Sequence, residues 1–140
     1  MSELLESVKS LLQHGRESEA RALLLDRMGR DPRDFEPVVL LVGIMTNGGQ
    51  WQAAVECIED RLRAGGPVVQ LNELLGSTLA SMGRMPEAEA AYLRVLDARP
   101  EQDSVYRMLS RMRKFSGDDD LLERIERRLE KLLAEEREST

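Results

Sequence analysis

The sequence predicts an all-α fold built of repeated helix pairs, and three observations carry that reading. Written in blocks of 34 from Met1, the 140-residue chain places Gly15, Gly49, Gly83 and Gly117 in one column. Five residues further on stand Ala20, Ala54 and Ala88, and the end-of-block column reads Pro32, Gly66, Pro100 and Ala134. Between these marks apolar residues recur three and four apart, the spacing of one helix face, while Gly and Pro fall mostly at the proposed turns. A fixed period of this length marks a stacked supersecondary unit. The expected blocks are 1–34, 35–68, 69–102 and 103–136, in a single domain.

In the first block Leu4, Leu5, Val8, Leu11 and Leu12 form a helical stripe, with Ser2 placed to cap it. Gly15 follows because a chain leaving a helix commonly takes a left-handed conformation that a β-carbon resists. A second helix is expected from about Glu17 to Gly29, with Ala20, Leu23, Leu24 and Met28 inward and Asp31-Pro32 ending it. In the second block Asp34 is the expected cap, and Phe35, Val38, Leu41, Val42 and Met45 the buried stripe. Asn47-Gly48-Gly49 closes that helix, and its partner, about Gln50 to Ala64, carries Trp51, Ala54, Val55, Ile58 and Leu62 before breaking at Gly65-Gly66-Pro67. Arg27 and Arg61 occupy matching places and hint at a shared role on the outer face.

The third block is the most regular. Leu71, Leu74, Leu75 and Leu79 line one face, Gly76 and Ala88 are expected to let two backbones approach, and Tyr92 and Val95 complete the contact. Pro86 sits at a helix start, where its missing N–H costs nothing. The fourth block keeps Leu109 and Gly117 but has Leu122 in the alanine column. Its last helix, roughly Asp119 to Arg137, puts Leu121, Leu122, Ile125, Leu129, Leu132 and Leu133 on one stripe among Glu and Arg. Glu123 and Arg127 have the spacing of a helix ion pair. This reads as a polar-faced C-terminal capping helix, which repeat arrays need because a terminal unit lacks a neighbour on one side.

Composition bounds the function. Charged residues make up 33% and aromatic ones 4%, as suits thin helical layers, and the net charge of −6 argues against a general nucleic-acid binder. The longest apolar run, Val38 to Val42, is far short of the roughly 20 residues of a membrane helix. No charged start precedes an apolar run, so no secretory signal is expected, and the single Cys57 suits a reducing cytoplasm. No catalytic constellation stands out, and the chain is not expected to be an enzyme. His14 closes the first helix as a cap, and Cys57 has no second cysteine or neighbouring histidine for metal or nucleophilic chemistry. Asp118-Asp119-Asp120 lacks the alternating ligands of a calcium loop and suits the positive end of a helix. Neither metal nor cofactor is expected.

On the spacing of Leu75-Gly76, Gly83, Ala88, Tyr92 and Pro100, repeated less perfectly elsewhere, the whole chain resembles the tetratricopeptide repeat family. That resemblance implies a right-handed superhelical solenoid of about four antiparallel helix pairs and a concave groove lined by the first helix of each pair. Its fifth places are Leu5, Val39, Glu73 and Arg107; the ninth, Lys9, Gly43, Ser77 and Arg111; the twelfth, Leu12, Thr46, Ala80 and Lys114. Ser2, Glu36, Gln70 and Ser104 fall at the rim. So aligned, the groove is apolar at Leu5, Leu12 and Val39, floored by small residues at Gly43, Thr46, Ser77 and Ala80, and basic at Arg107, Arg111 and Lys114. The basic end either receives a carboxylate or acidic segment or is a solvated face. Neither block frame supplies the Lys, Asn and Arg set with which related repeats grip a heat-shock chaperone terminus.

The resemblance implies an adaptor that binds a protein or peptide partner. Three alternatives stay open: a small acidic secretion-type chaperone for an exported subunit, an accessory part of a modifying enzyme, and self-assembly into a homo-oligomer. The second rests on Tyr106, Leu109, Lys114-Phe115, Asp118 to Asp120 and Ile125, which look like the segment joining repeats to the catalytic domain of some bacterial sulfotransferases. No sulfonate-donor loop accompanies them.

Overall fold

In the computed structural model residues 2–116 are described, 113–116 by backbone only, together with the helical residues Glu123, Glu126, Arg127, Glu130, Lys131 and Ala134. The described elements are α1 (Glu3–Gln13), α2 (Glu17–Arg30), α3 (Glu36–Asn47), α4 (Trp51–Arg63), α5 (Val68–Ser81), α6 (Met85–Ala98) and α7 (Asp103–Ser116). The expected all-α fold is present. Two compact units make up the chain, Met1–Pro67 with α1 to α4 and a second that begins at Val68 with α5 to α7.

The glycine column works as its spacing requires. Gly15, Gly49 and Gly83 have φ of 71°, 77° and 79°, and Gly65 joins them at 89°. Each stands where two backbone N–H groups turn back onto the last carbonyls of the helix. Gly15 N donates to Leu12 O at 3.1 Å and Arg16 N to Leu11 O at 2.8 Å; Gly49 and Gln50, then Gly83 and Arg84, repeat the pair. This pair of hydrogen bonds satisfies carbonyls that a helix end otherwise leaves orphaned. The second helix of each pair thereby folds back on the first.

In the first unit α1 packs on α2, α2 on α3 and α3 on α4. Leu24, Val38, Ala20, Ala54 and Ile58 are each 0% exposed, so the alanine column admits its neighbours at full contact. Ser2 caps α1 by accepting from Leu5 N at 3.0 Å. At α3 Phe35 holds the N-cap place with helical backbone and no side-chain cap bond, and Asp34 one place earlier accepts from the N–H of Glu36, the first helical residue, at 3.3 Å, so the expected acidic group does serve the start of the helix. Phe35, Met45, Trp51 and Leu62 are only partly buried, whereas Ile44, outside the expected stripe, is buried. Leu23 and Leu74 are likewise partly buried.

The paired outer-face role expected of Arg27 and Arg61 is not what the structure shows. Arg27 is exposed, while Arg61 is partly buried and donates to Met28 O at 3.0 Å, tying α4 to the end of α2. Equal places in two blocks have unequal neighbours.

In the second unit α5 and α6 make the most extensive helix contact, and α7 packs on α6. Gly76 was expected to bring backbones together; its space is taken by a side chain. A β-carbon there would lie 2.8 to 2.9 Å from the ring carbons of Tyr92, which is 3% exposed. Pro86 stands in the first turn of α6. Tyr106 donates its hydroxyl to Pro100 O at 2.9 Å, pinning α7 to the turn that precedes it. Leu109 is 0% exposed. Gly117, Asp118 to Asp120 and the apolar stripe from Leu121 to Leu133 lie outside the described residues, although Glu123 and Arg127 do approach to 3.9 Å.

Candidate functional site

Helical spacing turns a set of columns into surfaces. On α1 Leu5, Val8, Lys9 and Leu12 share one side, and on α3 Leu40, Gly43, Ile44 and Asn47 share another. These residues, with Glu17 of α2, line a cleft of about 340 Å³ in the first unit. Its walls are mainly apolar, with Lys9, Glu17 and Asn47 as polar groups among them. Leu12 is 39% exposed, a large apolar side chain left in solvent at the cleft. Gly43 carries no side chain, and nothing lies within 4 Å of where its β-carbon would be. That absence widens the cleft.

Of the twelve groove positions expected from the sequence, Leu5, Lys9, Leu12 and Gly43 are thus brought together. Val39 is exposed but is not among the lining residues, and Thr46 turns its hydroxyl onto Gly43 O at 3.3 Å. Leu40, Ile44 and Asn47 were missed. Places one later than the fifth, ninth and twelfth of the second block would have found them, because a cleft between two helices is walled by facing flanks, not by equal positions on each.

The second unit has its own face. Asp103, Tyr106, Arg107, Ser110 and Arg111 line an open cleft of about 580 Å³ along α7. Arg107 and Arg111 are exposed, one turn apart. The side chain of Lys114 lies outside the described ones. Glu73 accepts from Gln102 Nε2 at 2.7 Å, Ser77 is exposed and Ala80 is half-buried. Buried Asn72 has its oxygen satisfied by Arg94 Nε at 2.9 Å and donates its amide to Val68 O at 3.0 Å, a structural role.

The reactive side chains are quiet. His14 places Nδ1 2.7 Å from Ser10 O, as expected of a helix-end cap. Burial pushes the Cys57 thiol up from its ordinary value, with Arg61 opposing and Asp60 adding to the shift. A raised thiol is a poor nucleophile at neutral pH. The Tyr92 phenol is pushed up by burial and then by the charge of Glu73. Among the described residues no three His, Cys, Asp or Glu gather as a metal site.

No family model matches the chain, and no curated protein matches it in sequence. Solved structures do. The chain is similar to the crystal structure of MamA, with a TM-score of 0.65 at 20% identity over 96% of this chain and 79% of that one. It is also similar to a tetratricopeptide repeat protein from Parabacteroides merdae, with a TM-score of 0.67 at 17% identity over 93% of this chain and 52% of that one. A second MamA structure gives 0.64 at 22% identity, over 91% and 70%. Likeness at these identities is one of fold. The chain has the tetratricopeptide-type fold.

Proposed function

We propose that this chain is a non-enzymatic protein-interaction module whose first unit captures an apolar segment of a partner, helical or extended, between α1 and α3. The observation that carries this reading is the apolar cleft itself: Leu5, Val8, Leu12, Leu40 and Ile44 wall a volume of about 340 Å³ beside polar groups able to orient a ligand backbone. That is the lower end of the size and the mixture of surfaces that bind ligand side chains. A helix laying an apolar face into a groove, anchored three and four residues apart, is a common way for helical surfaces to hold peptides. The fold shared with repeat proteins supports it. The chain acts, on this reading, in the cytoplasm.

The test replaces Leu5 and Leu12 by Ser and captures partners from an extract of the source cell beside the wild type. Each buried leucine contributes roughly 1.5–3 kcal/mol on leaving water, so the doubly substituted chain is expected to lose affinity by tenfold or more. Both positions are at least partly exposed, so helicity measured by circular dichroism is expected to persist. Capture undiminished in a folded variant would remove the cleft from the reading. The same cleft also favours the small secretion-type chaperone. A captured protein that is itself exported and is kept soluble only by the intact cleft selects that reading over the adaptor.

A further inference from the structure

We propose that the exposed face of α7 seats the carboxylates of an acidic segment of a partner protein on Arg107 and Arg111. The inference deepens the interaction-module reading and rests on it, adding the chemistry of a contact that the apolar cleft does not provide.

Both guanidinium groups line the open cleft of the second unit, with Tyr106 and Ser110 between and beside them. Neither makes an ion pair or hydrogen bond with any described residue. Most other arginines of the described chain are engaged: Arg21 with Glu17 at 3.4 Å, Arg30 with Asp26 at 2.9 Å, Arg63 with Asp60, and Arg84 with Glu87. Asp103 stands four residues before Arg107, in the order that favours a helix ion pair, and does not close one. The surface beneath is held. Tyr106 is 3% exposed with its hydroxyl bound to Pro100 O, so the turn of α7 that carries Arg107 has a fixed position. Two forks one helical turn apart, each able to take a carboxylate in bidentate fashion, match acids spaced along one side of a peptide.

The local charge of Arg107 and Arg111, not the net charge, selects the occupant. The chain carries 20 basic against 26 acidic residues, a net charge of −6, so its average field repels an acidic ligand. Binding of such a ligand therefore requires a local site.

The experiment titrates the full chain into a fluorescein-labelled, C-terminally amidated hexaglutamate peptide and reads anisotropy at low and at physiological ionic strength. A variant with Arg107→Glu and Arg111→Glu is compared with one carrying Arg27→Glu and Arg33→Glu, which changes net charge equally at two other exposed arginines. Arg107→Gln with Arg111→Gln removes the donors without adding acid, should the Glu variant fold poorly. The expected result is saturable binding by the wild type, weakened roughly tenfold or more by either α7 variant and about twofold or less by the control, with salt reducing it throughout. No binding by the wild type, or equal losses in α7 and control variants, overturns the proposal. Hexaglutamate has no apolar side chain for Leu5 and Leu12, so failure here leaves the α1–α3 cleft reading standing, and failure of that cleft leaves this result unchanged.

Discussion

Tyr92 and Gly76 show how much one missing β-carbon does. The ring fills space over α5 that any side chain at position 76 would contest, at 2.8 to 2.9 Å from an added carbon. Gly76→Ala is therefore expected to destabilise the chain by about 1–3 kcal/mol in urea unfolding, since overpacking moves a well-held side chain or the backbone. Combining it with Tyr92→Leu should cost less than the sum of the two, because the smaller side chain removes the clash. Additive costs would show that the ring does not meet the added carbon. Tyr92 and Cys57 also set an alkaline limit. Both are held above their ordinary values, near 10 and 9. Beyond about pH 9 the unfolded chain sheds these protons while the fold retains them, so stability present at lower pH falls as pH rises through that range. Chemical-denaturation midpoints from pH 7 to pH 10.5 should fall more steeply for the wild type than for Cys57→Ala with Tyr92→Phe.

At the level of the element, the turns between paired helices depend on backbone conformation more than on contact. Nothing lies within 4 Å of a β-carbon placed on Gly83, yet its φ is +79°. Gly83→Val is expected to cost more than about 1 kcal/mol, because a β-branched residue resists the left-handed region. Gly43 is the converse, a glycine inside α3 with open space around it, and Gly43→Ala is expected to stabilise by roughly 0.5–1 kcal/mol. Thermal unfolding of the pair should move midpoints in opposite directions. The glycine column was legible in the sequence because the turn makes a demand on a single residue, which composition records directly. The start of α3 was legible only to within a place, since Asp34 accepts from Glu36 N as a capping acid does while Phe35 after it stands at the helix boundary with helical backbone.

For the whole molecule, burial is unevenly shared. Leu71, Ala88, Ala91, Val95 and Leu96 are each 0% exposed across α5 and α6, whereas α1 buries chiefly Leu4 and Val8. Amide hydrogen exchange is expected to be slowest in α5 and α6 and faster in α1. Equal protection in α1 would mean that its few buried contacts understate its stability. The division into Met1–Pro67 and a unit starting at Val68 falls at Gly65-Gly66-Pro67, beside the boundary expected between the second and third blocks. A sequence break shows where a helix stops without showing how closely the next element packs.

The 34-residue period, the glycine turns and the alanine column were determined by the sequence alone, because backbone conformation and helical periodicity are local properties that each residue carries with it. Leu5, Lys9, Leu12 and Gly43 came as a set from the columns that the tetratricopeptide resemblance implies, and the structure places them along one cleft. Tertiary structure decided the rest: that Leu40, Ile44 and Asn47 wall the same cleft, that Arg61 binds Met28 while Arg27 faces solvent, and that Tyr92 occupies the space of Gly76. Each of those outcomes depends on which flank of one helix meets which flank of another, a relation between distant residues that no single position encodes.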